Sequence, residues 1–140
     1  PGPPGGPPGA PFFRTGRFCS CWNDAVAMRA ALTSISIAER DDVVNSVCKK
    51  GKYFCDSTEA VAEKYGYNFK MTGPPSMPYP WFSEDNDLYK IQEFCKIASN
   101  KGLFFHPHHN WFISNAHNKN SLASALSLVS ETFDEMANRK

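Results

Sequence analysis

No stretch of this sequence approaches eighteen consecutive apolar residues, so no segment is long enough to cross a bilayer as a helix. A dominant charge is missing too. Fifteen Lys and Arg stand against fourteen Asp and Glu, for a net charge of +1. With the basic residues scattered rather than blocked, there is no field to steer nucleic acid or an acidic membrane. Neither is expected as a partner. The five cysteines, at 19, 21, 48, 55 and 95, are odd in number and follow no regular framework. No charged n-region followed by an apolar h-region opens the chain. Reduced thiols in an intracellular compartment, cytoplasmic or organellar, are the expectation. No internal repeat is found.

What is present suits one domain with a core of its own: 140 residues, 41% of them hydrophobic and 21% charged. The first eleven residues carry glycine at 2, 5, 6 and 9, so the three-residue glycine spacing that a collagen helix requires breaks at Gly5-Gly6. Such composition cannot bury a core. Residues 1–17 are read as a disordered leader and 18–140 as the domain.

Helical spacing begins at Asn23 and places Ala27, Ala30, Ala31, Leu32, Ile35 and Ala38 on one stripe, with Ser20 or Asn23 as cap. This predicts a well-packed first helix. A longer pattern runs from about Asp41, through Val44, Val47, Cys48, Gly51, Cys55, Thr58, Val61, Ala62 and Tyr65, and closes at Gly66. Two strands, Phe69 to Thr72 and Tyr79 to Ser83, follow around a Gly73-Pro74-Pro75 turn that no helix could cross. Asp85 or Asn86 is expected to cap a third helix with Leu88, Ile91, Cys95 and Ala98 facing inward, ending at Gly102. Leu103 to His106 and Trp111 to Ser114 read as two further strands. A final helix from Asn120 or Ser121 repeats Leu122, Leu126, Val129, Phe133 and Met136. The predicted class is α+β, a small and mainly antiparallel sheet covered by helices on one side.

Three runs carry a resemblance: Met71-Thr-Gly-Pro-Pro-Ser-Met-Pro-Tyr-Pro-Trp-Phe82, Gly102-Leu-Phe-Phe-His-Pro107 and Phe112-Ile-Ser-Asn-Ala-His117. Together they resemble the C-terminal small domain of class III pyridoxal-phosphate aminotransferases, above all the glutamate-1-semialdehyde aminomutase-like branch. The resemblance covers about residues 18 to 137, and its order of elements is similar to the small domain of fold-type I enzymes. Ser20-Cys-Trp-Asn-Asp-Ala-Val-Ala-Met28 looks like the segment by which the family's small domain is entered. In the family a threonine there hydrogen-bonds the cofactor phosphate of the neighbouring subunit, which the resemblance places at Ser20. A serine keeps the hydroxyl, although a helix N-cap alone accounts for it equally well. Cys19, Cys21 and Asp24 depart from the family's pattern in that loop.

Transamination needs a Schiff-base lysine, an acid to hold the pyridinium nitrogen protonated and a phosphate-binding segment. In the family these lie upstream, on the large domain, so the resemblance implies no catalytic residue here. The lysines read as solvated charges, and the chain alone is expected to be inactive. The reading is therefore the small-domain part of an enzyme acting on an amino acid, amino aldehyde or keto acid. Its partner would be a large domain or a related subunit. The alternative is a non-catalytic module that binds a full-length family member.

Three other groupings have plainer readings. His106, His108, His109 and His117 follow no metal-ligand spacing; they are read as loop histidines, with His117 bracing the last helix. Cys19 and Cys21 are too closely spaced for a redox pair, while Cys48 and Cys55 sit about 10 Å apart by helix rise, too far to bridge. The last two read as small core residues. Trp22, Trp81, Trp111, Phe104, Phe105 and Phe112 are taken as core, since aromatics in short strands usually are.

Overall fold

A carboxylate starts the first helix. In the computed structural model, which describes residues 24–139, Asp24 Oδ1 accepts the amides of Val26 at 2.9 Å and Ala27 at 3.4 Å. It thereby fills the capping role expected of Ser20 or Asn23. Those two residues, the leader and the boundary at 17/18 lie outside the described residues. α1 runs Ala25–Arg40 and buries none of its residues, so the expectation of a well-packed helix is corrected. Val26, Leu32 and Ile35 are all more than half exposed. Helical spacing specifies an apolar stripe but not what covers it.

The chain divides into two units between Ala38 and Glu39, and the second holds everything that follows. There α2 spans Val43–Lys64, β1 Phe69–Thr72, β2 Tyr79–Phe82, α3 Tyr89–Asn100 and α4 Lys119–Asn138. Glycines end α2 and α3 in the same way. Gly66 (φ 78°) and Gly102 (φ 91°) take the left-handed conformation. Their amides bond Glu63 O and Ser99 O, while the next amides, of Tyr67 and Leu103, reach back to Ala62 O and Ala98 O. This paired return satisfies the last carbonyls of each helix.

Asp85 serves α3 as expected, though not as its terminal residue. Leu88 turns the chain through a left-handed conformation. The buried Asp85 carboxylate then accepts the amides of Lys90 and Ile91, each at 2.9 Å. α4 starts at an Asn118–Ser121 capping box. Just before it, His117 Nδ1 accepts the Ser114 amide at 3.0 Å, bracing the turn.

The strands pair antiparallel, with Phe69 opposite Phe82 and Met71 opposite Pro80. Side chains alternate across the sheet. Phe69, Phe82 and Pro80 are buried on the helix side, while Lys70 and Trp81 face outward. Glu59 of α2 guards the outer edge of β1 by accepting the Met71 amide at 2.8 Å. The core is built from rings. Phe69 lies 4.9 Å from Phe82 and 5.6 Å from Phe133, and Phe94 lies 4.8 Å from Phe133. The fold is α+β.

Residues 103–106 and 111–114 are not strands, so the sheet has two strands where four were expected. For 111–114 the reason is chemical. Trp111 and Ile113 do donate to the carbonyls of Pro78 and Ser76 at 2.9 and 3.0 Å, but Pro78 has no N–H to return, and a ladder cannot close.

Candidate functional site

The Gly73-Pro-Pro turn and the 103–117 segment lie together through main-chain bonds. Gly73 takes φ 89°, and Met77 donates back to Pro74 O at 2.8 Å. The turn rests on α2 at Gly51, where an added Cβ would lie 1.9 Å from Pro75 O. Asn110 Nδ2 then reaches Met77 O at 2.9 Å, next to the Trp111 and Ile113 bonds.

Trp111 is the fixed point of the segment. Its Nε1–H donates to His106 O at 3.0 Å, and its ring stacks on Phe105 at 3.7 Å and 6°. Phe104 and Phe112, each beside one of these two rings in sequence, are 83% and 58% exposed. The reading of all these aromatics as core is thus corrected. Trp111 is core, Phe105 is half-buried, and Phe104, Phe112 and Trp81 face outward; Trp22 lies outside the described residues. In an extended segment adjacent side chains point to opposite sides, a signal that Phe104-Phe105 and Trp111-Phe112 already carried.

A cleft of about 640 Å³ opens here. Buried Phe54, Trp111 and Leu122 form its floor, and Phe104, Phe112, His106, His109 and His117 stand around it. Its size is that of a small-molecule site, and so is the combination of apolar floor and few polar groups. Two of the imidazoles have a fixed tautomer. The amides of His108 and Ser114 donate to Nδ1 of His106 and His117 at 3.1 and 3.0 Å, which leaves the ring hydrogen on Nε2 in each. The ring of His109 donates from Nδ1 to Asn110 O at 3.0 Å.

The cysteines among the described residues do not line this cleft. Ser20, Cys19 and Cys21 lie outside the described residues. Cys48 and Cys55 are half-buried rather than core, and Cys95 is buried. Burial pushes the Cys95 thiol up to about 12. It also raises Cys55 to about 11, with smaller contributions from Glu59 and Asp56. Both are held as unreactive thiols. Among the described residues no three His, Cys, Asp or Glu side chains are grouped to hold a metal.

Nor do the described residues fit the reactive part of a pyridoxal-phosphate site. A Schiff-base lysine is activated by desolvation or a neighbouring cation, yet no described lysine is buried. Lys52 and Lys70 pair with Asp56 and Glu59, Lys101 with Glu135, and Lys50 donates to Asn115 O at 3.0 Å. No helix among the described residues is long and apolar enough to cross a membrane.

The chain is similar to known proteins over most of its length. It is 29% identical over 122 residues to the aminopentol aminotransferase of Sphingopyxis macrogoltabida, an alignment covering 87% of this chain and 28% of that protein. With the 3-aminobutyryl-CoA aminotransferase of Cloacimonas acidaminovorans it shares 33% identity over 110 residues, 76% of this chain and 27% of the relative. A solved structure, the PLP internal aldimine form of the FumI protein of Sphingopyxis sp. MTA144, superposes with a TM-score of 0.78 at 26% identity. It covers 81% of this chain and 28% of that one. The chain thus spans little more than a quarter of the length of the curated relatives it matches. No protein-family model matches it. The resemblance to pyridoxal-phosphate aminotransferases drawn from the three sequence runs is borne out.

Proposed function

The chain is related by sequence and fold to pyridoxal-phosphate-dependent aminotransferases, and we propose that it is the small-domain portion of a class III enzyme of that kind. In this reading it acts together with a lysine-bearing large domain on an amino acid, amino aldehyde or keto acid. The supporting observation is that likeness in sequence and likeness in fold coincide, each covering more than three quarters of the chain. The relatives' named substrates, an aminopentol and 3-aminobutyryl-CoA, are both amines, which agrees with an amino-group donor. Ser20 is assigned to the phosphate of a neighbouring subunit's cofactor, through its hydroxyl.

The 140-residue chain alone neither forms a Schiff base nor transaminates. A missing body of protein is consistent with α1, whose Val26, Leu32 and Ile35 are exposed in the chain by itself.

Two measurements test this. Pyridoxal phosphate followed by borohydride should leave no lysine adduct on the isolated chain beyond that of a random-coil control. The transcript upstream of Pro1 should encode a large domain with the Schiff-base lysine, and its full product should convert the bound cofactor to the amine form with an amino donor. An upstream sequence without such a domain, with the chain co-purifying with an intact aminotransferase, would favour the non-catalytic module instead.

A further inference from the structure

From the cleft between the 103–117 segment and α4 we infer that this chain binds a small amphipathic carboxylate, an acid with an aromatic or aliphatic body. The inference does not rest on the aminotransferase reading.

Three independent features support it. Shape is the first: about 640 Å³ holds a body of roughly ten to twenty heavy atoms, in the range of small-ligand sites. Phe54 and the stacked pair Phe105 and Trp111 give the cleft an apolar floor, and Phe112, 58% exposed, adds an accessible aromatic side chain to its lining.

Charge is the second. No Asp or Glu lines the cleft, and none occurs in the sequence between Glu93 and Glu131. The cleft's lining holds His106, His109 and His117 and no lysine or arginine. An anion entering here meets no repelling carboxylate, whereas an amine meets no acceptor charge.

The third feature is donor geometry. Because backbone amides occupy Nδ1 of His106 and His117, each ring presents an Nε2–H donor, and both residues line the cleft. A carboxylate has two oxygens to accept such donors. His109, whose Nδ1 already donates to Asn110 O, is not needed for this.

The test uses the 140-residue chain and three matched probes, 4-phenylbutyrate, 4-phenylbutanamide and 4-phenylbutylamine, with amide and indole NMR shifts as readout. The expected result is saturable binding of the carboxylate, at least about tenfold tighter than the amine. Shifts should centre on Phe105, Trp111 and Phe112, with Trp111 Nε1–H the clearest marker. Phe112→Ala, a change at an exposed position, should weaken carboxylate and amide alike by about tenfold. His106→Leu should erase only the preference for the carboxylate. Equal affinity for acid and amine, shifts centred elsewhere, or no saturable binding by the folded chain would each overturn the inference. Loss of the aminotransferase reading would leave these outcomes unchanged, so the two can fail separately.

Discussion

Gly51 of α2 lies directly beneath the carbonyl of Pro75: a Cβ built on it would stand 1.9 Å from the oxygen and 2.5 Å from the carbon. The helix passes this close to the Gly-Pro-Pro turn only because residue 51 has no side chain. In a helix interior glycine is ordinarily worse than alanine by about 1 kcal/mol. Gly51→Ala is nevertheless expected to destabilise the protein, by about 1–3 kcal/mol, because either the helix or the turn must shift. Urea unfolding measures it, and a raised midpoint would contradict the close approach.

Asp85 divides its two oxygens between two amides, those of Lys90 and Ile91. Asp85→Ala leaves both donors near the buried start of α3 without a partner and should cost about 1–2 kcal/mol. Asp85→Asn, with a single acceptor oxygen, should fall between. Amide exchange at Lys90 and Ile91 should accelerate in the alanine variant before exchange elsewhere in α3 does.

Thr58 is fully buried in α2, and its Oγ1 has no hydrogen-bond partner. Thr58→Val keeps the branched shape and removes the stranded hydroxyl, so it should stabilise the chain by about 1 kcal/mol. A loss of stability on chemical denaturation would show that the hydroxyl is satisfied in solution.

The thiols give a prediction with a definite sign. Folding raises Cys95 from the ordinary value of 9.0 to about 12, by burial. The folded state therefore keeps a proton that the unfolded chain releases. That contribution is complete below pH 9 and is lost as pH rises from 9 towards 12. Thermal scans should show Tm falling over this window, and less steeply in Cys95→Ala. At pH 8 a disulfide reagent should reach Cys95 only on unfolding.

Rings that look alike in the sequence should differ widely when truncated. Phe94 is completely buried and Phe112 is 58% exposed. Phe94→Ala should cost about 3–5 kcal/mol, and Phe112→Ala no more than about 0.5 kcal/mol. Equal costs would mean that Phe112 is covered in solution.

Much of the fold was legible because local chemistry specified it. Gly66 and Gly102 marked helix ends through left-handed backbone, Asp85 announced α3, and the Phe69 and Tyr79 runs announced the strands. Other features depended on what lies opposite in space. The 111–114 strand failed because its neighbour is a proline-rich segment, and Pro78 cannot return a hydrogen bond to Trp111. In α2, Phe54 is buried and Val44 is 69% exposed, although the stripe included Val44 and missed Phe54, whose ring lies 6.4 Å from that of Phe105, far along the chain. The cleft was invisible for the same reason, since Phe54, Phe105, Trp111 and Leu122 come from distant parts of the chain. Exposure of the α1 stripe has the same origin, because spacing alone does not say whether a covering surface is present.

The contact from Glu59 to the Met71 amide reaches beyond this one molecule. A two-stranded ribbon has two open borders, and any free amide along them can capture an extended segment of another chain. Here the β1 border is occupied by a carboxylate from its own helix, and along β2 Pro80 has no amide to offer. Removing Glu59 would cost this fold little locally, yet it would give neighbouring molecules a docking rail, so Glu59→Ala should be seen first as turbidity in a concentrated solution.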